Sequence, residues 1–468
     1  MNEPLITMTH VCRSWRSLLL STPSLWTQID FTIPKYKQAE IFLERSGNQF
    51  LDVYQLLNSE EDKEPFLSTT LRNTHRLRWL EIGFTILDLE DVLAQFTRPA
   101  PELKHLEIWG DGSEGELRLP STIFGGQLPK LASFSLRQMH TDLRDFNFPS
   151  LTRFLLRSGT ETSVQDLTSF FERCPLLEFV HLCLDYTSEL RIGPPGERIR
   201  LAALKELMFN ETACGSGLLD HLTLPNCTEI KLEGEFIGGE FNDQGHPSAR
   251  IHPSSVDHLS TMRGITKAVA MPNSCILSGP NGYIRFLFSR GSRENFDAEF
   301  FTSLTPISVS GVRELWVGAG VESSVYGRPW SRTAGMSWSQ TPAGVHGAFG
   351  VLTKVEDLTI VNCDTGPIFA TLDMDADNAI LLPRLRRLTI YIGCGDLDVS
   401  PLIRCAKARN EHSRPFGEVA IVFEKNPGAD VFRGLEPLRE LVAVLDYRVG
   451  ATPVLRPWEN RDDDYWYQ

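Results

Sequence analysis

A chain of 468 residues exceeds what one compact hydrophobic core holds, so it has to build several domains or one repeat array. Its 46 Lys and Arg against 60 Asp and Glu leave a formal charge of −14, which removes the electrostatic ground for a nucleic-acid or anionic-membrane partner. With 41% hydrophobic and 10% aromatic residues it can bury a large core, which excludes a broadly disordered chain.

The first element in chain order is "HVCRSWRSLLLSTPSLW", His10 to Trp26. Val11, Trp15, Leu18 and Leu19 recur at helical spacing, which predicts an amphipathic helix of about ten residues ending before Ser21, with Arg13, Arg16 and Ser17 opposite. Thr22 and Pro23 read as the N-cap and first position of a short turn that carries Leu25 and Trp26. Such a helix cannot bury its stripe alone, so it has to pack on the end of a repeat array or on another protein.

A repeat then sets in: apolar, two variable, apolar, one variable, apolar. It occurs as "LRWLEI" from Leu77, "LKHLEI" from Leu103, "LASFSL" from Leu131, "LTRFLL" from Leu151, "LEFVHL" from Leu177, "LKELMF" from Leu204 and "CTEIKL" from Cys227. The starts are 26, 28, 20, 26, 27 and 23 residues apart, the period of leucine-rich repeats. Proline precedes many units, where its missing N–H costs a strand ladder nothing, so each unit reads as turn, short strand and return. "LEDVLAQF" from Leu89 and "SVQDLTSFFERC" from Ser163 have helical spacing for such returns, with Ser163 a candidate N-cap.

The period lapses between Glu233 and Ser310, predicting degenerate repeats with a long loop, and returns as "VRELWV" from Val312, "VEDLTI" from Val355 and "LRRLTI" from Leu385. A Gly/Ser/Trp-rich loop is expected over 318–350. The expected fold is therefore α/β: a leucine-rich-repeat solenoid, a curved parallel sheet with helical or irregular returns, capped by a short N-terminal helical segment. The divisions are 1–33, 34–75 with a linker helix and first strand, 76–235 for the main repeats, 236–310 degenerate, 311–450 for further repeats, and an acidic, aromatic tail over 451–468.

Strand alternation turns the residues between the buried leucines to the opposite, concave face. That face would display Trp79, Glu81, His105, Glu107, Trp109, Arg153, Arg157, Phe179, His181, Met208 and Asn210, then Glu229 and Lys231, and later Trp316 and Tyr391. Tryptophan, tyrosine and arginine so exposed are the residues that dominate interface energetics, which makes the face a candidate target-binding surface. Intramolecular cover by loops is the alternative.

Signatures of chemistry are weak by comparison. The nine cysteines are odd in number and include no C-x-x-C pair, so they read as reduced core residues. His246, His252 and His258 are six apart and lack an acidic or cysteine partner, and "DMDADN" from Asp373 lacks the glycine and glutamate a calcium loop requires. No phosphate-binding, metalloprotease or nucleophile-elbow motif occurs, so no enzymatic activity, metal or cofactor is expected. No basic segment leads into an apolar run and no apolar stretch reaches the roughly 18 residues that span a bilayer, so a cytoplasmic or nuclear location without membrane contact is expected.

"VCRSWRSLLLSTPSLWTQIDF" resembles the C-terminal half of an F-box in the form common in fungal families, where V-C-x-x-W and T-P-x-L-W recur. "AEIFLERSGNQFLDVYQL" from Ala39 resembles the segment that follows it there, a helix ending in R-S-G before the first strand. The resemblance implies a substrate-recognition subunit of an SCF-type ubiquitin ligase: the F-box binds a Skp-family adaptor and through it a cullin, and the repeats take an unknown target protein. Val11, Cys12, Trp15, Leu18 and Leu19 would then belong to the F-box core or adaptor contact, and Leu25 and Trp26 to its junction with the repeats. "MNEPLITMT" departs from the family, because an F-box begins with L-P-x-E-[IL]-L and a first helix. Two readings follow: a truncated start, or a remnant that caps the repeats in a binding protein without ligase coupling.

Overall fold

The computed structural model describes residues 3–31, 36–57, 60–84, 89–110, 119–139, 141–158, 163–184, 197–210, 217–234, 256, 258–271, 274–288, 309–318, 349–361, 365–373, 380–393 and 398–450. The chain divides into two compact units, Met1–Leu232 with His258–Ser260, and Glu233–Asp257 with Thr261–Gln468.

The first unit opens with helices α1 (Glu3–Thr9) and α2 (Arg13–Leu20), a 3-10 turn at Pro23–Trp26, strand β1 (Gln28–Asp30), α3 (Tyr36–Arg45), β2 (Leu51–Leu57) and α4 (Glu60–Arg72). The repeats follow as β3 (Leu77–Phe84), α5 (Leu89–Ala94), β4 (His105–Gly110), β5 (Ser133–Arg137), β6 (Arg153–Ser158), α6 (Val164–Glu172), β7 (Phe179–Leu184), β8 (Ile199–Arg200), β9 (Glu206–Asn210), β10 (Leu222–Thr223) and β11 (Glu229–Gly234). Strands β1, β2, β3, β4, β5, β6, β7 and β9 pair in that order, all parallel, with β11 next to β9. Strands β8 and β10 form a separate parallel pair.

One hydrogen-bond pattern explains why the repeat forms. In "APEL", "LPKL", "FPSL", "CPLL" and "LPRL" the last leucine donates its N–H to the carbonyl three residues back at 3.0–3.2 Å, closing a single turn. Proline is second in each, where its fixed φ suits the turn and its absent N–H is not needed. The strand begins two residues later. Just ahead of it, one carbonyl accepts both N–H groups that open the next unit: Lys104 O from Ala132 and Ser133, Ala132 O from Thr152 and Arg153, and Thr152 O from Glu178 and Phe179, at 2.8–3.0 Å. The apolar positions of each strand face the returns and are buried. Between β5, β6 and α6 the core is aromatic, with Phe134 5.1 Å from Phe148 and Phe154 4.7 Å from Phe170 between ring centres.

The second unit starts with β12 (Lys267–Met271), β13 (Ser274–Gly279) and β14 (Gly282–Phe288), then β15 (Glu314–Gly318), β16 (Asp357–Val361), α7 (Thr365–Asp373), β17 (Arg387–Ile392), α8 (Ser400–Glu411), β18 (Glu418–Phe423), α9 (Ala429–Leu435) and β19 (Val444–Val449). Strands β12, β15, β16, β17, β18 and β19 pair parallel in that order. The double-acceptor carbonyl recurs at Thr266, Arg313, Glu356 and Arg386.

Three expectations change. The stretch read as degenerate repeats contains an antiparallel meander, β12–β13–β14, turned at Pro280–Asn281; "SCILSG" and "GYIRFLF" flank a two-residue turn, which favours a hairpin over a crossover. The first strand is β1, inside the N-terminal segment, and not β2. The N-terminal helix is two helices: Cys12 is extended (φ −157°, ψ 169°) and caps α2 through its sulfur, which accepts from Trp15 N at 3.4 Å, so Val11 lies outside the helix, and a helix does precede His10. The loop over 319–348 and the tail over 451–468 lie outside the described residues.

Candidate functional site

The N-terminal helices divide their apolar residues into two sets. Leu19 and Trp26 are buried. The Trp26 indole donates to Leu19 O at 2.8 Å, meets Phe42 of α3 edge-on at 4.7 Å and lies 4.4 Å from the Arg45 guanidinium. Tryptophan 26 is thus the bolt between α2 and the first α/β layers. Val11, Trp15, Leu18 and Leu25 are 62%, 49%, 65% and 42% exposed, and Cys12 is exposed too. The predicted stripe of four is therefore not one buried seam: of Val11, Trp15, Leu18 and Leu19, only Leu19 turns inward. Met8 and Leu20, which the spacing did not single out, join the exposed set. Arg16 fixes α2 to α1 by donating to Thr9 O at 2.9 Å.

Apart from Glu229 and Lys231, which are buried on β11, the residues of the first unit expected on the concave face fall in three rows across β2 to β9. Register places Asp52, Trp79, His105, Ser133, Arg153, Phe179 and Glu206 across one row, and Tyr54, Glu81, Glu107, Ser135, Leu155, His181 and Met208 across the next. The third runs Leu56, Gly83, Trp109, Arg137, Arg157, Cys183 and Asn210. Trp79 stacks on His105 with ring centres 4.3 Å apart and is 6.3 Å from Tyr54. The Trp109 ring lies directly over Gly83, so close that a Cβ there would run into it.

Charge is unevenly distributed over this face. Glu81, half-buried, has its carboxyl pushed up by burial and by the neighbouring Glu107, partly offset by a hydrogen bond from Trp109 and by Arg137. Arg137 pairs with Glu107 at 2.9 Å, and Arg78 grips Asp52 through two hydrogen bonds of 2.8 and 2.5 Å. Burial, then Asp52 and Glu81, raise the Tyr54 hydroxyl to about 12; burial, then Arg153, lower His105. On β6 the Arg153 guanidinium lies 4.9 Å from the Phe179 ring, and Arg157 is exposed with no ion pair among the described residues. His181 and Met208 are half-buried beside them; Glu229 and Lys231 are buried and paired at 2.8 Å.

Trp316 and Tyr391 belong to the second unit. There Lys267 pairs with Glu314 at 2.9 Å and lies 4.5 Å from the Trp316 ring, while Arg387 stands between Asp357 (3.3 Å) and Glu418 (3.6 Å). Tyr391 is half-buried beside Val361 and Val422 in register.

Tyr54, Asp52, Gly83 and Arg137 were missed, although "LDVYQL" shows the same alternation and a strand-end arginine follows "LASFSL". Among the described residues, no three His, Cys, Asp or Glu are grouped to hold a metal. His258 bonds Leu219 O at 2.9 Å; His246, His252 and residues 374–379 lie outside the described residues. No described helix is long and apolar enough to cross a membrane. The sequence matches no known protein-family profile and no curated protein.

Proposed function

We propose that this chain is a protein-recognition subunit in the manner of an SCF-type substrate receptor: the N-terminal helices dock a Skp-family adaptor, and the open sheet face takes a target protein. The supporting observation is the division at the N-terminus. Leu19 and Trp26 fasten the helices to the repeats, while Val11, Trp15, Leu18 and Leu25 stay at the surface, an apolar group that a lone domain gains nothing by exposing. The subunit does no bond chemistry; it raises the local concentration of a target beside the transfer machinery held by the adaptor and cullin.

Co-purification with a Skp-family adaptor tests the reading. The chain is expected to retain the adaptor, and the double variant Trp15→Ala, Leu18→Ala to lose at least ~10-fold of it at unchanged thermal stability, since both side chains are exposed. If neither this chain nor a version extended upstream retains the adaptor, the ligase coupling is wrong and a leucine-rich-repeat binding protein is left.

A further inference from the structure

The open face of the first unit carries a carboxylate inside an aromatic box. On β3, Glu81 has the Trp79 indole two residues before it and the Trp109 ring, lying over Gly83, two residues after it. Tyr54 stands beside it on β2 and Glu107 on β4. Arg137, whose charge acts on Glu81, is committed to Glu107 at 2.9 Å, so Glu81 receives an indole hydrogen bond and lacks a cation of its own among the described ion pairs.

Aromatic faces around a carboxylate are the arrangement that holds a guanidinium or ammonium group, through charge and through the ring quadrupoles together. The opposite pole lies three strands away, where β6 presents Arg153 and Arg157, the latter exposed and with no ion pair among the described residues. At about 4.8 Å per strand the two poles are ~14 Å apart, which an extended peptide crosses in about four residues. The chain's net charge of −14 adds a long-range pull on a basic partner.

We propose that this face recognises an extended protein segment whose basic side chain, lysine or arginine, sits over Glu81 between Trp79 and Trp109, with an acidic side chain about four residues away on Arg153 and Arg157. The assignment rests on the sheet face being a recognition surface and is independent of adaptor docking. Burial and Glu107 work against the Glu81 charge in the free protein, and a bound cation offsets both through its opposite charge.

Fluorescein-labelled ten-residue Ala/Gly peptides carrying one Lys or Arg and one Glu, one to eight residues apart, titrated against the full chain by anisotropy, test this. Binding is expected to peak near a separation of four and to fall at least tenfold for Glu81→Gln, which removes a charge the folded state disfavours and so keeps the fold. Gly83→Ala, which displaces the Trp109 ring, should weaken every basic peptide. Arg153→Ala with Arg157→Ala should abolish the dependence on the Glu position but keep the basic one. Equal binding by Glu81→Gln, or no binding above an all-Ala/Gly peptide, overturns the proposal. Preferred binding of peptides holding only Glu, lost in the arginine variants, also overturns it while leaving the face a recognition surface.

Discussion

Arg409 of α8 is the most deeply buried arginine among the described residues, 1% exposed. Its guanidinium donates to the carbonyls of Leu381, Leu382 and Leu385 at 3.2 Å and of Arg414 at 3.1 Å, over the Phe416 ring. Arg173, after α6 of the first unit, performs the same service, donating to Phe146 O and Leu143 O at 2.8 Å. Replacing Arg409 by methionine leaves buried carbonyls unpaired and is expected to cost ~2–4 kcal/mol, read as a lower urea midpoint. Neither arginine's role is legible in sequence, where a helical arginine looks like a solvated surface residue. Glu81 makes a pH prediction. Its folded pKa is raised, so its contribution to stability is present in acid and is lost as pH rises through that pKa. Glu81→Gln should therefore gain stability relative to the parent between pH 4 and neutrality; a relative loss over that range in paired thermal melts contradicts the assignment.

At the scale of elements the sequence was most legible where local chemistry and pattern agree. Ser163 caps α6 as expected, and the box is closed by Asp166: each side chain serves the other's backbone N–H. Ser163→Ala should cost about 1 kcal/mol in thermal or urea unfolding. The ten quoted repeat motifs all became strands. Among the strands that escaped are two whose apolar positions are not leucine: the pattern of β12 runs from Ile265 through Ala268 and Ala270, and that of β18 from Phe416 through Val419 and Ile421. The break at Cys12 was hidden because Val11 happens to fall on helical spacing with Trp15. On the open face, alternation points to positions that register then groups into rows, but the partnerships that give the face its character, Trp109 over Gly83 and Arg137 on Glu107, depend on which strand is neighbour to which.

At the scale of the molecule, repeats that touch chiefly their neighbours do not unfold as one cooperative block. Calorimetry of the full chain should give an enthalpy larger than the van't Hoff value, where a single two-state domain would make them equal. Trp26 ties the proposed adaptor element to this array; Trp26→Ala is expected to cost ~3–5 kcal/mol locally and to make residues N-terminal to it the first protease target. The double-acceptor carbonyls have a further meaning. Successive ones in the second unit, Thr266, Arg313, Glu356 and Arg386, are separated by returns of very different length, yet every strand after them enters in the same frame. Alignment is reset at each strand's threshold, so an insertion in one return is forgotten by the next. Such an array can lengthen its edges freely while the open face of its sheet keeps its spelling.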